Sequence, residues 1–391
     1  MTSNVTWGRN TASANATRLA DSYQNRALLQ QRAAQDGTPS AVVKMGNDVA
    51  LLSSDALRTS SRLSASYNGV ISQGSSVTVD GVSASVLYTD DGFSEIDASN
   101  VIVAVVDTGI DANHPALRGR LVQGYNSYDG SSNVTDLDGH GTHVAGTIAG
   151  AWGLNDQAGG VASTAKIMPI RACDNNKRFS DLSIANGVIY AVEHGARVIN
   201  LSLEDQAELP RTQLAIDYAH KMGVLVVAAA GNEGRNGVDS PAKYDGAIAV
   251  GSSRNGRRST FSNGGDRLDL SAPGEDIVAP LPGNRYGAKS GTSMASPYVA
   301  GAAALILARH PEWTPEQVAV QLARTANDWG TAGKDNDFGY GEVNLFEAVY
   351  GGAAPSQRRV TTGYGYPNGG YQQPGAASRL MTWIQHTFLG R

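Results

Sequence analysis

The sequence predicts an α/β protein, in which a mainly parallel central sheet carries helices on both faces in three layers. Two observations support this fold class. From about residue 76 to residue 350, short apolar and β-branched runs alternate with helical segments, an order typical of parallel sheets covered on both sides. One of these runs, Val101–Val106, is apolar without interruption, as expected for a strand that is buried on both faces.

The other elements of this region follow the same alternation. Three more segments have the character of buried strands: Lys166–Cys173, Arg197–Ser202 and Val224–Ala230. Five segments are helix candidates: His143–Ala151, Leu182–Glu193, Leu209–Lys221, Ser296–Arg309 and Pro315–Thr325. We therefore assign residues 76–350 to one α/β domain.

Residues 1–75 form an N-terminal extension rich in Ala, Ser, Asn and Gln. A helix is predicted for Thr17–Gln35, because apolar side chains recur at a spacing of four residues before Asp36-Gly37. A hairpin is predicted for Ala41–Met45 and Asp48–Leu52, which flank the turn dipeptide Gly46-Asn47. The Ser-rich residues 53–75 are interpreted as a linker.

Residues 351–391 form a C-terminal tail. Its first part, to residue 377, is rich in Gly, Pro, Gln and Tyr, which is typical of a low-complexity linker. The tail ends in a short amphipathic helix predicted for Ser378–Leu389. Two interpretations of this helix remain open: it docks on a partner or a membrane surface, or it packs on its own domain or frays.

Composition narrows the classes of function. The 391 residues carry a net charge of −5, which argues against nucleic acid as a partner. No stretch approaches the roughly 18 apolar residues of a membrane span. The first residues lack the apolar core of a secretory signal, so we expect a cytoplasmic protein, with secretion by a leaderless route as the alternative.

The single cysteine, Cys173, allows no internal disulfide and is interpreted as a buried hydrophobe rather than a nucleophile.

Three short motifs place complementary chemical groups along the chain. Asp107 directly follows the first buried strand, at the edge of the sheet where α/β enzymes hold their sites. His140 lies between two glycines in Gly-His-Gly-Thr-His143, and a metal pair with His143 would need a third ligand. Ser293 lies at the predicted start of a helix, where free N–H groups stabilise an oxyanion. A serine needs a base and an orienting acid to become a nucleophile, and His140 and Asp107 supply these groups.

In this order, Asp-Thr-Gly-Ile-Asp, Gly-His-Gly-Thr-His-Val-Ala-Gly and Gly-Thr-Ser-Met-Ala-Ser-Pro resemble the three motifs of the subtilisin-like serine proteases. The resemblance covers about 275 residues and ends with Phe338–Asn344. It implies peptide-bond hydrolysis through an acyl-enzyme, with Asp107, His140 and Ser293 as the catalytic triad. It also implies that Asn232, in Ala229-Ala-Gly231-Asn232-Glu-Gly, donates its side-chain amide to the oxyanion. No cofactor is required for this chemistry.

The resemblance also locates the substrate-binding residues. Extended peptides would pair with two backbone edges, Lys177–Asp181 and the segment Ser202, Leu203 and Glu204, while Ala229 and Gly231 line the primary pocket. Many relatives have Ser-Leu-Gly-Gly in the second segment, so Glu204 is a departure from the family pattern. Asp239 lies where the pocket floor is expected, in a loop whose Ser240-Pro241 bond is expected to be cis.

Glu204 and Asp239 together suggest a preference for Arg or Lys immediately before the scissile bond. The alternative is that both carboxylates face solvent and that the pocket accepts apolar or mixed side chains.

Metal binding is an open question in the sequence. The strongest calcium site of many relatives uses an aspartate at the position of Ala116, which argues against that site here. The acidic loop with Asp129, Asp136 and Asp138 offers oxygen ligands for structural calcium, or is simply a solvated loop.

The N-terminal extension takes the position of a family propeptide. This segment of the chain is therefore a candidate intramolecular inhibitor, and the chain is a candidate zymogen. Protein or peptide substrates are the expected partners. Two other functions remain open: an inactive or latent binding and regulatory module, and an esterase or acyltransferase that uses the same triad.

Overall fold

The computed structural model describes residues 41–45, 48–52, 76–79, 82–89, 96–151 and 159–351. The helices predicted for Thr17–Gln35 and Ser378–Leu389 lie outside these described residues. The Ser-rich linker and the tail beyond residue 351 lie outside them as well.

Four strands of the N-terminal region form an antiparallel sheet of their own in the order β2-β1-β4-β3. These strands are β1 (Ala41–Met45), β2 (Asp48–Leu52), β3 (Ser76–Val79) and β4 (Val82–Thr89). The hairpin predicted for β1 and β2 is confirmed, since Ala41 pairs with Leu52 and Met45 with Asp48. The predicted boundary at residues 75 and 76 therefore falls between strands of this one sheet.

The main sheet has eight strands, ordered β11-β10-β9-β8-β5-β7-β6, with β12 paired to β10. All neighbours are parallel except β10 and β11. The strands are β5 (Ile102–Asp107), β6 (Tyr125–Asn126), β7 (Lys166–Arg171), β8 (Val198–Leu201), β9 (Leu225–Ala229), β10 (Ala247–Arg254), β11 (Arg257–Arg258) and β12 (Leu270–Pro273). A separate hairpin consists of β13 (Ile277–Leu281) and β14 (Arg285–Lys289).

The helices of the described residues are α1 (His140–Ala149), α2 (Asp181–Glu193), α3 (Pro210–Lys221), α4 (Thr292–Arg309), α5 (Pro315–Thr325) and α6 (Leu345–Tyr350). They pack on the main sheet in two groups. Side chains of α1, α4, α5 and α6 share one buried cluster, and side chains of α2 and α3 share another. None of these helices is long and apolar enough to cross a membrane.

The central strand β5 shows how one run of sequence supports two cores. Val103 and Val105 belong to the cluster that contains α1 and α4, whereas Ala104 and Val106 belong to the cluster that contains α2 and α3. Successive side chains of a strand point to opposite faces, so an apolar residue is needed at every position. The three-layer α/β prediction is confirmed.

Candidate active site

Asp107 ends β5 at the carboxyl edge of the main sheet. Its side chain is buried at 1% exposure. One carboxylate oxygen accepts a hydrogen bond from the Thr108 amide at 2.7 Å, and both oxygens lie near Nδ1 of His140, at 2.8 and 3.0 Å. A charge held this way is stabilised by its donors although it is shielded from water.

His140 is the first residue of α1. The close approach of this helix to β5 depends on Gly141, because a Cβ there would contact the Gly109 carbonyl oxygen and lie 3.1 Å from Asp107 Cβ. Burial alone would lower the pKa of His140, but the charge of Asp107 and its hydrogen bond outweigh burial and raise that pKa above 6.5. His140 is thus a base whose protonated form is stabilised by Asp107.

Asp136 fixes the turn that precedes His140. Its carboxylate accepts hydrogen bonds from the Thr108 hydroxyl at 2.8 Å, from the Gly139 amide at 2.8 Å, and from the amide and hydroxyl of Thr142 at 2.9 and 2.6 Å. The same side chain was a calcium-ligand candidate. Its lone pairs are instead used to join the end of β5 to the start of α1.

Ser293 is the second residue of α4 and is 8% exposed. Because Ser293 lies in the first turn, its backbone N–H has no acceptor within the helix. Its hydroxyl donates to the Ser202 carbonyl at 3.4 Å, and its own carbonyl accepts from the Ser202 hydroxyl at 2.8 Å. Among the described residues, the Ser293 hydroxyl makes no hydrogen bond to His140, so hydrogen bonds link the acid to the base but do not link the base to Ser293.

Asn232 follows β9 and has a fixed orientation. Its Oδ1 accepts a hydrogen bond from the Thr292 amide at 2.9 Å, and its Nδ2 donates to Oε1 of Glu204 at 2.7 Å. Gly231, at φ +110°, leaves no room for a Cβ beside Asn263 and Asp239. The side-chain amide of Asn232, which is expected to donate to an oxyanion, therefore donates to the carboxylate of Glu204 in this structure.

Glu204 lies directly after Ser202 and Leu203, which are both buried. Its Oε2 is buried and has no hydrogen-bond partner among the described residues. Burial raises the pKa of Glu204, and the charge of Glu233 adds to this effect although the bond from Asn232 opposes it. The carboxylate does not face open solvent, contrary to one of the two sequence interpretations.

Asp239 is buried at 2% exposure and already has partners. Arg235 donates to its Oδ1, and Asn263 donates to its Oδ2 at 2.9 Å. Burial, followed by the contact with Glu233, raises the pKa of Asp239 to about 6. Asp239 is thus paired within the protein instead of presenting a free charge. The Ser240–Pro241 bond in the same loop is cis, as predicted.

Sequence reasoning missed four of these partners: Arg235, Asn263, Asp136 and Thr292. Asn263 lies in Phe261-Ser-Asn-Gly, a segment that fits the same subtilisin-like pattern as the three motifs, so its position offered a signal. Arg235 is only one residue beyond the Ala-Ala-Gly-Asn-Glu-Gly motif, but nothing in the local sequence says that it turns toward Asp239.

The remaining acidic residues of the candidate calcium loop are also engaged elsewhere. Asp138 pairs with Lys177 at 3.0 Å, and Asp129 accepts from the Ser131 amide at 2.9 Å. Within the described ranges, no group of three or more His, Cys, Asp or Glu side chains is arranged to hold a metal ion. The acidic loop therefore does not fit a calcium site built on Asp129, Asp136 and Asp138.

His143 and Cys173 play no part in the candidate site. Nε2 of His143 lies 2.9 Å from the Ile277 carbonyl, and burial lowers the pKa of this ring to about 4, which suits a neutral structural side chain. Burial raises the pKa of Cys173 to about 11, so its side chain is a neutral thiol near neutral pH and not a nucleophilic thiolate.

A parallel α/β sheet that holds an acid and a histidine in contact at its carboxyl edge, with a serine at the start of a nearby helix, resembles the sites of serine-nucleophile hydrolases. The model of the subtilase family matches residues 98–341 of the chain. The chain belongs to the subtilase family.

Known relatives agree with this assignment. The chain is 44% identical over 253 residues to subtilisin E from Bacillus subtilis (strain 168), covering 62% of this chain and 64% of that protein. It is 41% identical over 248 residues to a thermophilic serine proteinase from Bacillus sp. (strain AK1), covering 63% and 61%. The chain therefore spans less than two thirds of these curated relatives.

A solved structure shows the same fold. The crystal structure of fervidolysin from Fervidobacterium pennivorans, described as a keratinolytic enzyme related to subtilisin, is similar to the chain with a TM-score of 0.62 and 36% identity. The match covers 68% of this chain and 44% of fervidolysin.

Proposed function

We propose that the protein is a serine endopeptidase that cleaves peptide bonds through an acyl-enzyme. The observation that carries this proposal is the contact of both Asp107 oxygens with Nδ1 of His140, at the sheet edge where α4 presents Ser293, in a chain of the subtilase family. Neither a metal nor a cofactor is needed by these groups.

Each residue has a role in the proposed reaction. Ser293 Oγ attacks the peptide carbonyl while Nε2 of His140 takes the proton, and Asp107 fixes the ring and stabilises its cation. The backbone N–H of Ser293 and Nδ2 of Asn232 donate to the oxyanion. His140 then protonates the leaving amine, and water, activated by the same ring, releases the acid product.

The substrate is proposed to bind as an extended strand along Ser202, Leu203 and Glu204 on one side and Lys177–Asp181 on the other. Ala229 and Gly231 line the pocket for the side chain before the scissile bond. We keep the proposed preference for Arg or Lys there, but base it on Glu204, because Asp239 already has Arg235 as a partner. The pairing of Asp239 makes it a structural support of the pocket floor.

The test of the activity is hydrolysis of casein and of tetrapeptide anilides by the purified chain, beside Ser293→Ala. The proposal expects hydrolysis by the wild type and none by the variant. Equal rates for the two proteins would contradict it, and would favour an inactive binding module or a contaminant. In the same panel, faster cleavage after Phe or Leu than after Arg or Lys would overturn the proposed preference alone.

Three further interpretations stay predictions: inhibition by the N-terminal segment, lack of nucleic-acid binding, and a cytoplasmic location with leaderless secretion as the alternative. Inhibition is measurable as loss of peptidase activity when a peptide of residues 1–75 is added to processed enzyme. Activity that is unchanged at high peptide concentration would contradict an inhibitory role.

A further inference from the structure

The proposed mechanism needs an amide donor that is already occupied. Oδ1 of Asn232 is held by the Thr292 amide at 2.9 Å, so the side-chain amide cannot simply turn over. With Oδ1 fixed, one of the two N–H bonds of Nδ2 is donated to Oε1 of Glu204, at 2.7 Å. A carboxylate oxygen bound to Nδ2 competes with a substrate oxyanion for this donor.

The second oxygen of Glu204 is in an unfavourable position. Oε2 is buried and has no hydrogen-bond partner among the described residues, and a buried carboxylate oxygen without a donor is costly. The charges of Glu233 and Asp239 also act on Glu204, and both of these carboxylates pair with Arg235. His140 and Lys177 act on Glu204 only through their more distant charges. No ion pair of Glu204 exists among the described residues, so a cation that entered the pocket would find an unpaired carboxylate.

We propose that Glu204 is a specificity-determining gate of the oxyanion site: it binds Nδ2 of Asn232 in the free enzyme and releases it when a cationic substrate side chain pairs with the carboxylate. This inference rests on the proposed endopeptidase function and deepens it. A substrate with Arg before the scissile bond moves Glu204 away and frees the donor. A substrate with Leu leaves the donor blocked.

The gate has a kinetic signature that simple charge attraction lacks. Attraction alone acts on substrate binding and therefore mainly on KM, whereas an absent oxyanion donor lowers kcat by about 10²–10³. The gate therefore predicts that the wild type discriminates between Arg and Leu peptides largely in kcat.

The experiment measures kcat and KM for tetrapeptide anilides that differ only in Arg or Leu before the scissile bond. The enzymes are the full-length wild type, Glu204→Ala and Glu204→Gln, with active sites counted by titration with a fluorophosphonate. Asp205→Asn is the matched control, because Asp205 is an exposed neighbouring carboxylate that accepts from the Ala207 amide and has no hydrogen bond to Asn232 among the described residues.

Glu204→Ala removes the carboxylate from Asn232, so we expect kcat for the Leu peptide to rise at least about tenfold, while KM for the Arg peptide rises. Glu204→Gln keeps the size and an accepting oxygen but not the charge. We expect it to stay slow on Leu and to lose most of its kcat on Arg. The control should match the wild type on both peptides.

Other outcomes overturn the gate. If Glu204→Ala leaves kcat for Leu unchanged or lowers it while titration shows intact sites, Glu204 only attracts cations or supports the fold, and the endopeptidase function stands. If neither the wild type nor Glu204→Ala is labelled or cleaves any peptide, the proposed function fails together with the gate. If Glu204→Ala cleaves the peptides and the wild type cleaves neither, Glu204 blocks the donor but Arg does not release it. That result would refute the gate as proposed.

Discussion

At the residue scale, the charge state of His140 is set by one buried carboxylate. Asp107 lies within 2.8 Å of Nδ1, and its charge raises the pKa of a ring whose burial acts in the opposite direction. A base must be neutral to take a proton from Ser293. Activity should therefore be lost as pH falls through a value above the ordinary 6.5 of histidine.

The first prediction concerns Asp107→Asn. The acid limb of kcat/KM should move to lower pH, because the neutral amide no longer stabilises the imidazolium, and kcat at neutral pH should fall by about 10⁴. The measurement is a pH–rate profile from pH 5 to 10 on one peptide. Asp97→Asn, an exposed carboxylate that accepts from Ser99, should keep the wild-type profile. An unmoved acid limb in Asp107→Asn would show that another group titrates.

The second prediction concerns Asn232→Ala. Its kcat on the Arg peptide should fall about 10²–10³-fold with little change in KM, because an oxyanion donor acts mainly in the transition state. Steady-state kinetics measure this, with the exposed Asn113→Ala as the control. A variant that loses affinity but keeps kcat would show that Asn232 binds substrate and does not stabilise the oxyanion.

The residues proposed to act in catalysis could be singled out in the sequence, because each occurs in a motif that resembles those of the subtilase family. The pairings of Glu204 with Asn232 and of Asp239 with Arg235 could not. Each depends on which way a long side chain turns, and that choice is made by neighbours far away in sequence, such as Thr292 and Asn263.

At the element scale, the two helices that carry His140 and Ser293 begin earlier than the ranges expected from their periodicity. Those ranges start at His143 and Ser296, although the motif argument already placed Ser293 at a helix start. In the structure α1 begins at His140 and α4 at Thr292. Their first turns are rich in Gly, Ser and Thr, which have weak helix propensity, so local sequence underestimated them. Burial fixes them instead: Gly141, Thr142, Ser293 and Met294 are all buried. The starts of α3 and α5, each with proline in its first turn, were predicted to within a residue.

The third prediction concerns Gly146→Ala in α1. Glycine to alanine usually stabilises a helix by up to about 1 kcal/mol, but here the new Cβ would press against the ring of Pro280 in β13, with Cγ at 2.7 Å. We expect a net destabilisation of roughly 1–3 kcal/mol from overpacking, measured by urea unfolding of the inactive Ser293→Ala background. The exposed helical variant Gln213→Ala should be near neutral. A higher free energy of unfolding for Gly146→Ala would mean that the β13–β14 hairpin moves away from the new Cβ without a loss of stability.

At the scale of the whole molecule, the main sheet separates two buried clusters. A polar contact joins α3 of one cluster to α5 of the other: Nε2 of His220 lies 2.9 Å from Oε1 of Glu316. The hydrogen bond from His220 lowers the pKa of Glu316 to about 2. This overall three-layer arrangement was predictable because strand and helix patterns alternate so regularly. The pairing of Glu316 with His220 was not predictable, because His220 lies in another layer.

The fourth prediction follows from that pairing. The folded state lowers the pKa of Glu316 from 4.5 to about 2, so its contribution to stability is present above pH 4.5 and is lost as pH falls toward 2. Glu316→Gln should lower the melting temperature near pH 6 and converge with the parent near pH 2, by a modest amount because the side chain is 46% exposed. Thermal melts on the Ser293→Ala background measure this, with the exposed Glu312→Gln as the control. Equal melting curves at all pH values would show that the pair adds nothing.

The proposed function depends above all on Ser293 being a nucleophile that His140 and Asp107 activate. The most direct measurement is intact-protein mass spectrometry of the purified chain with and without a fluorophosphonate probe, beside Ser293→Ala and Asp107→Asn. We expect one probe adduct on the wild type, none on Ser293→Ala and much slower labelling of Asp107→Asn. An unlabelled wild type, or an adduct that persists in Ser293→Ala, would contradict it.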